Sequence, residues 1–392
     1  MTRTPEFTMP ALDAAQRAQS AALQAVLQER ISARDGWIPF DEYLDLLLYA
    51  PGLGYYSAGT AKLGAAGDFT TAPELSGLFG ACIARQCAPL LRSGGDVLEL
   101  GAGSGALAEV LLARLAELGA APDYYFILET SADLRERQQR RLARLPAALH
   151  SRLRWLERLP DGGLRGVILA NEVADALPFH CFAVTVGGYA ERGVVLDGRG
   201  ELGWGERPAP MALRTELARL AATLAQPLLP GYRSELCLRV GPWIAGLAAA
   251  LEQGWLLLFD YGLGQSELYH PQRVTGTLRC HYRHRAHEDP FLYPGLQDVT
   301  AWVDFTRLAG AAADAGLGVA GYCTQAAFLL GAGIDKELET AGSTVERAHR
   351  ASEARQLLMP GEMGESFKAM ALTRGAVGCP AAFGLQDLRR LL

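Results

Sequence analysis

A carboxylate stands just ahead of a glycine-rich bend in residues 97–105, which read V-L-E-L-G-A-G-S-G. An apolar strand there runs past Glu99 into Gly101, Gly103 and Gly105. Glycines at alternate positions let backbone N–H groups approach a ligand with no Cβ in the way, and a helix is predicted to begin near Ala106. An acid at 99 suits a ligand with positive charge, such as the ammonium and sulfonium of S-adenosylmethionine. The run Gly101-Ala102-Gly103-Ser104-Gly105-Ala106 also satisfies the looser G-x-G-x-x-[G/A] pattern of nicotinamide and flavin sites. Spacing alone leaves both open.

Glu129 ends the apolar run Y-Y-F-I-L-E, near the offset at which a parallel α/β unit places an acid on ribose hydroxyls. With the glycine bend it points to an adenosine-containing ligand. The turn N-E-V-A-D-A-L-P (171–178) follows another apolar strand. Ligands of open parallel sheets lie outside the carboxyl ends of strands, so this turn should face the cofactor. Asn171 offers an amide oxygen for a cofactor or target nitrogen, while Glu172 and Asp175 could grip a cationic substrate by charge-assisted hydrogen bonds. Asp260, ending the next strand, is a comparable candidate. The loop G-D-F-T-T-A-P-E brings Asp68, Thr70, Thr71 and Glu74, which could fold over the cofactor's amino-acid end; helix capping by Thr71 and Glu74 is a rival reading. His281, His284 and His287, three apart, invite a metal reading. Arg283 and Arg285 between them would put cations beside the ion, so no metal site is assigned.

These groups need a scaffold to hold them. The pattern predicts strands over 96–100, 124–129, 153–157, 166–170 and 255–260, with helices over 105–118, 131–144 and 210–225. Short apolar strands separated by helices predict a parallel sheet covered on both faces. Residues 317–330 and 366–373 read as an antiparallel closing pair, and 179–208 as a β-hairpin insertion. Ahead of the sheet lie helices over 11–33 and 40–49, then a proline- and glycine-rich ordered loop over 51–76. The expected organisation is an N-terminal helical and loop cap (1–93), one catalytic domain (94–376) and a short tail (377–392).

Composition narrows the class. The 392 residues are 49% apolar, enough for a large core, and carry a net charge of −6 with acids and bases interspersed. That argues against a nucleic-acid surface built on bulk charge. Seven scattered cysteines without a C-x-x-C pair suggest a reducing, cytoplasmic setting. Neither a secretory signal nor a membrane span is apparent.

Taken in order, the motifs resemble the MidA-like, DUF185-type methyltransferases, a family that includes the mitochondrial complex I assembly arginine methyltransferase. The resemblance runs from Ile38 to about Leu372. It rests on I-P-F-D-E-Y-L (38–44), L-Y-A-P-G-L-G-Y-Y (48–56), G-D-F-T-T-A-P-E-L-S-G-L-F-G (67–80), E-L-G-A-G-S-G (99–105) and A-N-E-V-A-D-A-L-P (170–178). G-T-L-R-C-H-Y-R-H-R-A-H-E-D-P (276–290) and P-G-L-Q-D-V-T-A-W-V-D-F (294–305) extend it. The resemblance implies a Rossmann-like class I methyltransferase fold of the α/β class, with a seven-stranded, mostly parallel sheet, and S-adenosyl-L-methionine as cofactor. For the mitochondrial relative it also implies N-methylation of an arginine in a complex I subunit. The acceptor expected here is accordingly a protein arginine, with Glu172, Asp175 and Asn171 as catalytic candidates. Cofactor candidates are Glu99, Gly101, Gly103, Gly105, Glu129, Asp68 and Asn171. Trp302 stands where many members carry histidine, so no role is assigned there. Two rivals are a scaffold protein that has kept the fold and a dinucleotide oxidoreductase, the latter disfavoured by Glu99.

Overall fold

The computed structural model describes residues 9–58, 70–339 and 342–392. Its central sheet is built from seven strands: β1 (Asp96–Leu100), β2 (Tyr125–Leu128), β3 (Leu153–Leu156), β4 (Leu164–Asn171), β5 (Leu251–Leu263), β6 (Gly318–Thr324) and β7 (Phe367–Arg374). Their spatial order is β3-β2-β1-β4-β5-β7-β6, with the two-residue strand Val303–Asp304 beside the end of β5. β1 to β5 run parallel, and β7 lies antiparallel to both β5 and β6. The strand order reverses between β1 and β4, and a crevice opens at such a point beyond the carboxyl ends.

Alternation along each strand divides the core in two. Val97, Val167, Leu169, Leu257, Phe259, Ala369 and Ala371 face one layer, which the helices Gly77–Leu91 and Ala106–Glu117 cover with Phe79, Ile83, Leu107 and Leu111. Leu98, Leu100, Ile168, Ala170, Leu256, Leu258, Met370 and Leu372 face the other, under Val240–Ala250 and Phe305–Asp314. Burial on both faces is why these strands read as unbroken apolar runs. Glu99 falls in step with Val97 and so points into the first layer.

The chain departs from the sequence reading where local chemistry competes with the apolar pattern. The run 317–330 is a strand only as far as Thr324. There the threonine side chain accepts from the Ala327 N–H and starts the helix Gln325–Gly331. The inserted hairpin, His180–Thr185 with Gly188–Leu196, belongs to a five-stranded antiparallel sheet completed by Leu202–Pro208, Arg233–Leu236 and Trp37–Pro39. The N-terminal helices Ala14–Ser32 and Phe40–Tyr49 pack on this second sheet through Leu23, Leu27, Ile31, Phe40, Tyr43 and Leu47. His180, Glu191 and Asp41 tie the two parts together: His180 Nδ1 lies 2.6 Å from Glu191 and 3.5 Å from Asp41. Arg239 closes the network on Asp41 and Asp45.

Candidate functional site

After β1 the chain turns through Gly101, Gly103 and Gly105 with φ of +58°, +54° and +84°. That region is open to glycine and strained for residues with a Cβ. Gly101 and Gly103 line a cavity of about 300 Å³ at the carboxyl ends of β1, β2 and β4. Gly105 sits behind the wall, where a Cβ would lie 3.5 Å from Gln138 Cα, and it caps the helix Ala106–Glu117. Its contribution is close packing between helices.

Glu99 and Glu129 both reach the cavity and are almost fully buried. Tyr125 Oη donates to Glu99 Oε2 at 2.7 Å. Burial pushes the Glu99 carboxyl up to about 7, Glu129 adds to that, and the Tyr125 hydrogen bond opposes it. A cationic ligand would draw Glu99 back to its ionised form. Glu129 Oε1 accepts from the Ser131 N–H at 2.9 Å and its Oε2 from Gln138 Nε2 at 3.0 Å. These two bonds hold the Glu129 carboxylate in one rotamer at the cavity.

The turn beyond β4 holds three more of the predicted groups, Asn171, Glu172 and Asp175. Asn171 and Glu172 line the cavity. Asn171 Nδ2 donates to Glu172 Oε1 at 3.3 Å. Glu172 has φ of +52°, unusual for a non-glycine residue, and its N–H is fixed to Phe259 O at 2.8 Å. Burial, with Asp175 nearby, pushes the Glu172 carboxyl up to about 8 against hydrogen bonds from Asn171 and the Ala72 N–H. Asp175 lies one layer deeper, where Tyr261 Oη donates to its Oδ2 at 2.5 Å. Its carboxyl is raised to about 6 by burial, which the Tyr261 bond opposes. Asp260 accepts the N–H groups of Ala174 (3.0 Å), Asp175 (3.2 Å) and Tyr261 (2.9 Å), so it pins the turn from below. Burial lifts the Asp260 carboxyl well above the usual range, and Asp175 and Glu172 lift it further. Among the described residues, neither Glu172 nor Asp175 pairs with a lysine, arginine or histidine. Asn171 Oδ1 and Asp175 Oδ1 are buried with no hydrogen-bond partner among them.

The 67–76 loop is partly placed. Asp68 lies outside the described residues. Thr70 is exposed, while Thr71 and Glu74 line the cavity. Thr71 makes no side-chain cap bond. Glu74 instead reaches Ser104 on the glycine turn, which Arg141 also contacts at 2.9 Å. Thr71 and Glu74 therefore lie against the cavity rather than only capping a helix.

The three histidines do not converge. Arg279–Tyr282 and Arg285–His287 form a hairpin whose two-residue turn, Arg283-His284, has positive φ at both positions. Cys280 stands opposite His287 and His281 opposite Ala286, which sets His281 and His287 on opposite faces of the ribbon.

The three aromatic lining residues escaped the sequence reading: Tyr49, Tyr56 and Trp243. Trp243, with Leu128, Leu134, Leu159 and Leu247, gives the cavity an apolar side suited to a flat aromatic ring. Tyr49 and Tyr56 come from the N-terminal segment. Their one sequence signal is the aromatic-flanked glycine pair of L-Y-A-P-G-L-G-Y-Y.

Comparison with known proteins gives concordant matches. A family model described as S-adenosyl-L-methionine-dependent methyltransferase (Methyltransf_28) matches residues 82–323. The mitochondrial protein arginine methyltransferase NDUFAF7 of Danio rerio is 30% identical over 373 residues, covering 87% of this chain and 84% of that protein. Its Homo sapiens counterpart is 29% identical, over 86% of this chain and 80% of its own length. A Burkholderia thailandensis protein, solved with S-adenosyl-homocysteine bound, superposes with a TM-score of 0.92 at 41% identity. The match covers 98% of this chain and 100% of that one.

Proposed function

The chain belongs to this family of S-adenosyl-L-methionine-dependent methyltransferases, and from that premise we propose that it methylates the guanidinium of a protein arginine. S-Adenosyl-L-methionine is its cofactor. The observation that carries the choice of acceptor is the set of unpaired acids at the cavity, Glu172 at the wall and Asp175 behind it. A cation is the missing partner of such a set. The arginine methyltransferase names of the relatives support the same acceptor.

The residues present fit the cofactor. Gly101 and Gly103 leave the backbone bare, Glu129 offers carboxylate oxygens for ribose hydroxyls, and the apolar side holding Trp243 suits the adenine. Glu99 and the unpartnered Asn171 Oδ1 suit its cationic end, and Asp68 belongs to the same proposed set. When bound, the cofactor supplies a methyl group already activated on a sulfonium. The protein then has to align the acceptor and exclude water. A free guanidinium has a pKa above about 12, so Glu172 cannot deprotonate it at rest. Glu172 instead orients its plane through charge-assisted hydrogen bonds, and the incoming positive charge brings the raised Glu172 carboxyl to its ionised form. As the new C–N bond forms the nitrogen becomes far more acidic, and Glu172 takes its proton at a carboxylate oxygen. Asp175, held by Tyr261, keeps the local field negative while this happens.

A subunit of respiratory complex I is the acceptor that the family resemblance suggests, and a cytoplasmic setting accords with seven unpaired cysteines. The deciding experiment is mass spectrometry of methylarginine in cells with and without the gene. Loss of one or a few protein-bound methylarginines supports the reading, and an unchanged methylarginine proteome overturns it.

A further inference from the structure

We propose that Tyr49 and Tyr56 form one wall of a slot that selects a flat guanidinium over an ammonium, a specificity role that rests on the arginine reading above. Both residues line the cavity that Glu172 and Asn171 also line. Their rings stack on each other at a centroid separation of 5.6 Å and an interplanar angle of 27°. Both hydroxyls are already committed: Tyr49 Oη donates to Ala176 O at 2.8 Å, and Tyr56 Oη donates to Asp298 Oδ1 at 3.0 Å. These bonds lock the rings, so what they offer a ligand is aromatic surface.

The wall is built from a short stretch of sequence. Tyr49 ends the helix Phe40–Tyr49, and the chain then folds back so that Tyr55 N–H donates to Leu47 O and Tyr56 N–H to Leu48 O, at 2.9 and 2.8 Å. Only a glycine permits that return. A Cβ on Gly54 would sit 2.6–2.8 Å from the backbone of Ala50, Tyr49 and Leu48. The second glycine of L-Y-A-P-G-L-G-Y-Y therefore sets Tyr56 against Tyr49.

Aromatic faces beside carboxylates suit one cation better than another. A guanidinium is planar and weakly hydrated, so it can stack on a ring while its edge N–H groups meet an acid. An ammonium is compact and strongly hydrated, and it gains less from a flat wall. A cation–π contact of about 1–2 kcal/mol at a partly desolvated site corresponds to roughly 5- to 30-fold in affinity.

The test titrates the protein, saturated with S-adenosyl-homocysteine, with N-acetyl-arginine methylamide and N-acetyl-lysine methylamide, followed by NMR. The wild type is expected to bind the arginine probe at least about 5-fold more tightly. With each variant saturated with S-adenosyl-homocysteine, Tyr49→Leu and Tyr56→Leu should each bring that ratio toward one, and Tyr56→Phe, which keeps the ring, should preserve it. Leucine variants that retain the full preference would overturn the wall and leave the arginine reading standing. A wild type with no preference, or one for lysine, would overturn the arginine reading and the slot with it. Should the leucine variants fail to fold, the wild-type spectra decide. Upfield ring-current shifts of the arginine probe's δ-methylene protons support stacking, and their absence overturns it.

Discussion

Glu172 answers to two opposing demands. Its carboxyl is raised to about 8 by burial and by Asp175, whereas an exposed glutamate in the unfolded chain titrates near about 4.3. The folded protein thus binds that proton more tightly than the unfolded one. Stability from this group is fully present below the unfolded pKa and is lost as pH rises through about 8. Glu172→Gln, which cannot ionise, is expected to melt higher than wild type at pH 8.5, by on the order of 2 °C, with the gap closing near pH 4. Thermal scans at the two pH values check this. The same variant should hold S-adenosyl-homocysteine within about 2-fold, while methyl transfer falls by about 100-fold or more, because a general base contributes on that scale. For the wild type, kcat/KM toward an acceptor peptide should climb through the neutral range and level off above about pH 8. A flat profile would remove Glu172 from the reaction. Glu99, Glu129 and Glu172 were all legible in the sequence, because an acid at the end of an apolar run is out of place unless something uses it. Tyr49 and Tyr56 were not, since aromatic residues beside glycines read equally well as ordinary core.

Short elements hold these residues, and each can be broken separately. The glycine turn carries positive φ at 101, 103 and 105, so Gly103→Val combines a strained backbone, worth about 1–3 kcal/mol, with a side chain at the cavity wall. The expected outcome is a folded protein by circular dichroism that no longer binds S-adenosyl-homocysteine by calorimetry. The turn 172–175 depends on Asp260, whose carboxylate accepts three backbone N–H groups. Asp260→Ala strands those donors in the interior and should lower the melting temperature by roughly 3–6 °C. Turnover should fall more steeply than cofactor affinity, since the turn positions Glu172 and most of the cavity lies elsewhere. The parallel strands were readable because burial on two faces leaves an apolar signature in the chain. Trp37–Pro39 was not: three residues are too few to show a period, and its partner at 193–195 is distant in the chain. The end of β6 was missed for another reason, a single threonine cap inside an uncharged stretch.

At the scale of the whole molecule, the N-terminal residues and the inserted strands share one hydrophobic cluster, in which Tyr43, Phe179, Cys280 and Val299 meet. Deleting residues 1–58 would uncover the second half of the Gly188–Leu196 edge. It would also remove Leu23, Leu27 and Ile31, each fully buried and each worth about 1.5–3 kcal/mol. The truncated protein is expected to accumulate as aggregate, measured as the soluble fraction after expression and by size-exclusion chromatography. A soluble, monomeric product would show that the two parts fold independently. The pairing of Trp37 with Val195 also has a bearing on biosynthesis. A nascent chain leaves the ribosome with its first strand already made and its partner about 160 residues behind. At 5–20 residues per second that is a wait of roughly 10–30 s. Throughout it, the apolar face of Phe40–Tyr49 has only the neighbouring N-terminal helix to lie against, so newly made copies should be clients of the holdases that wait at the tunnel exit.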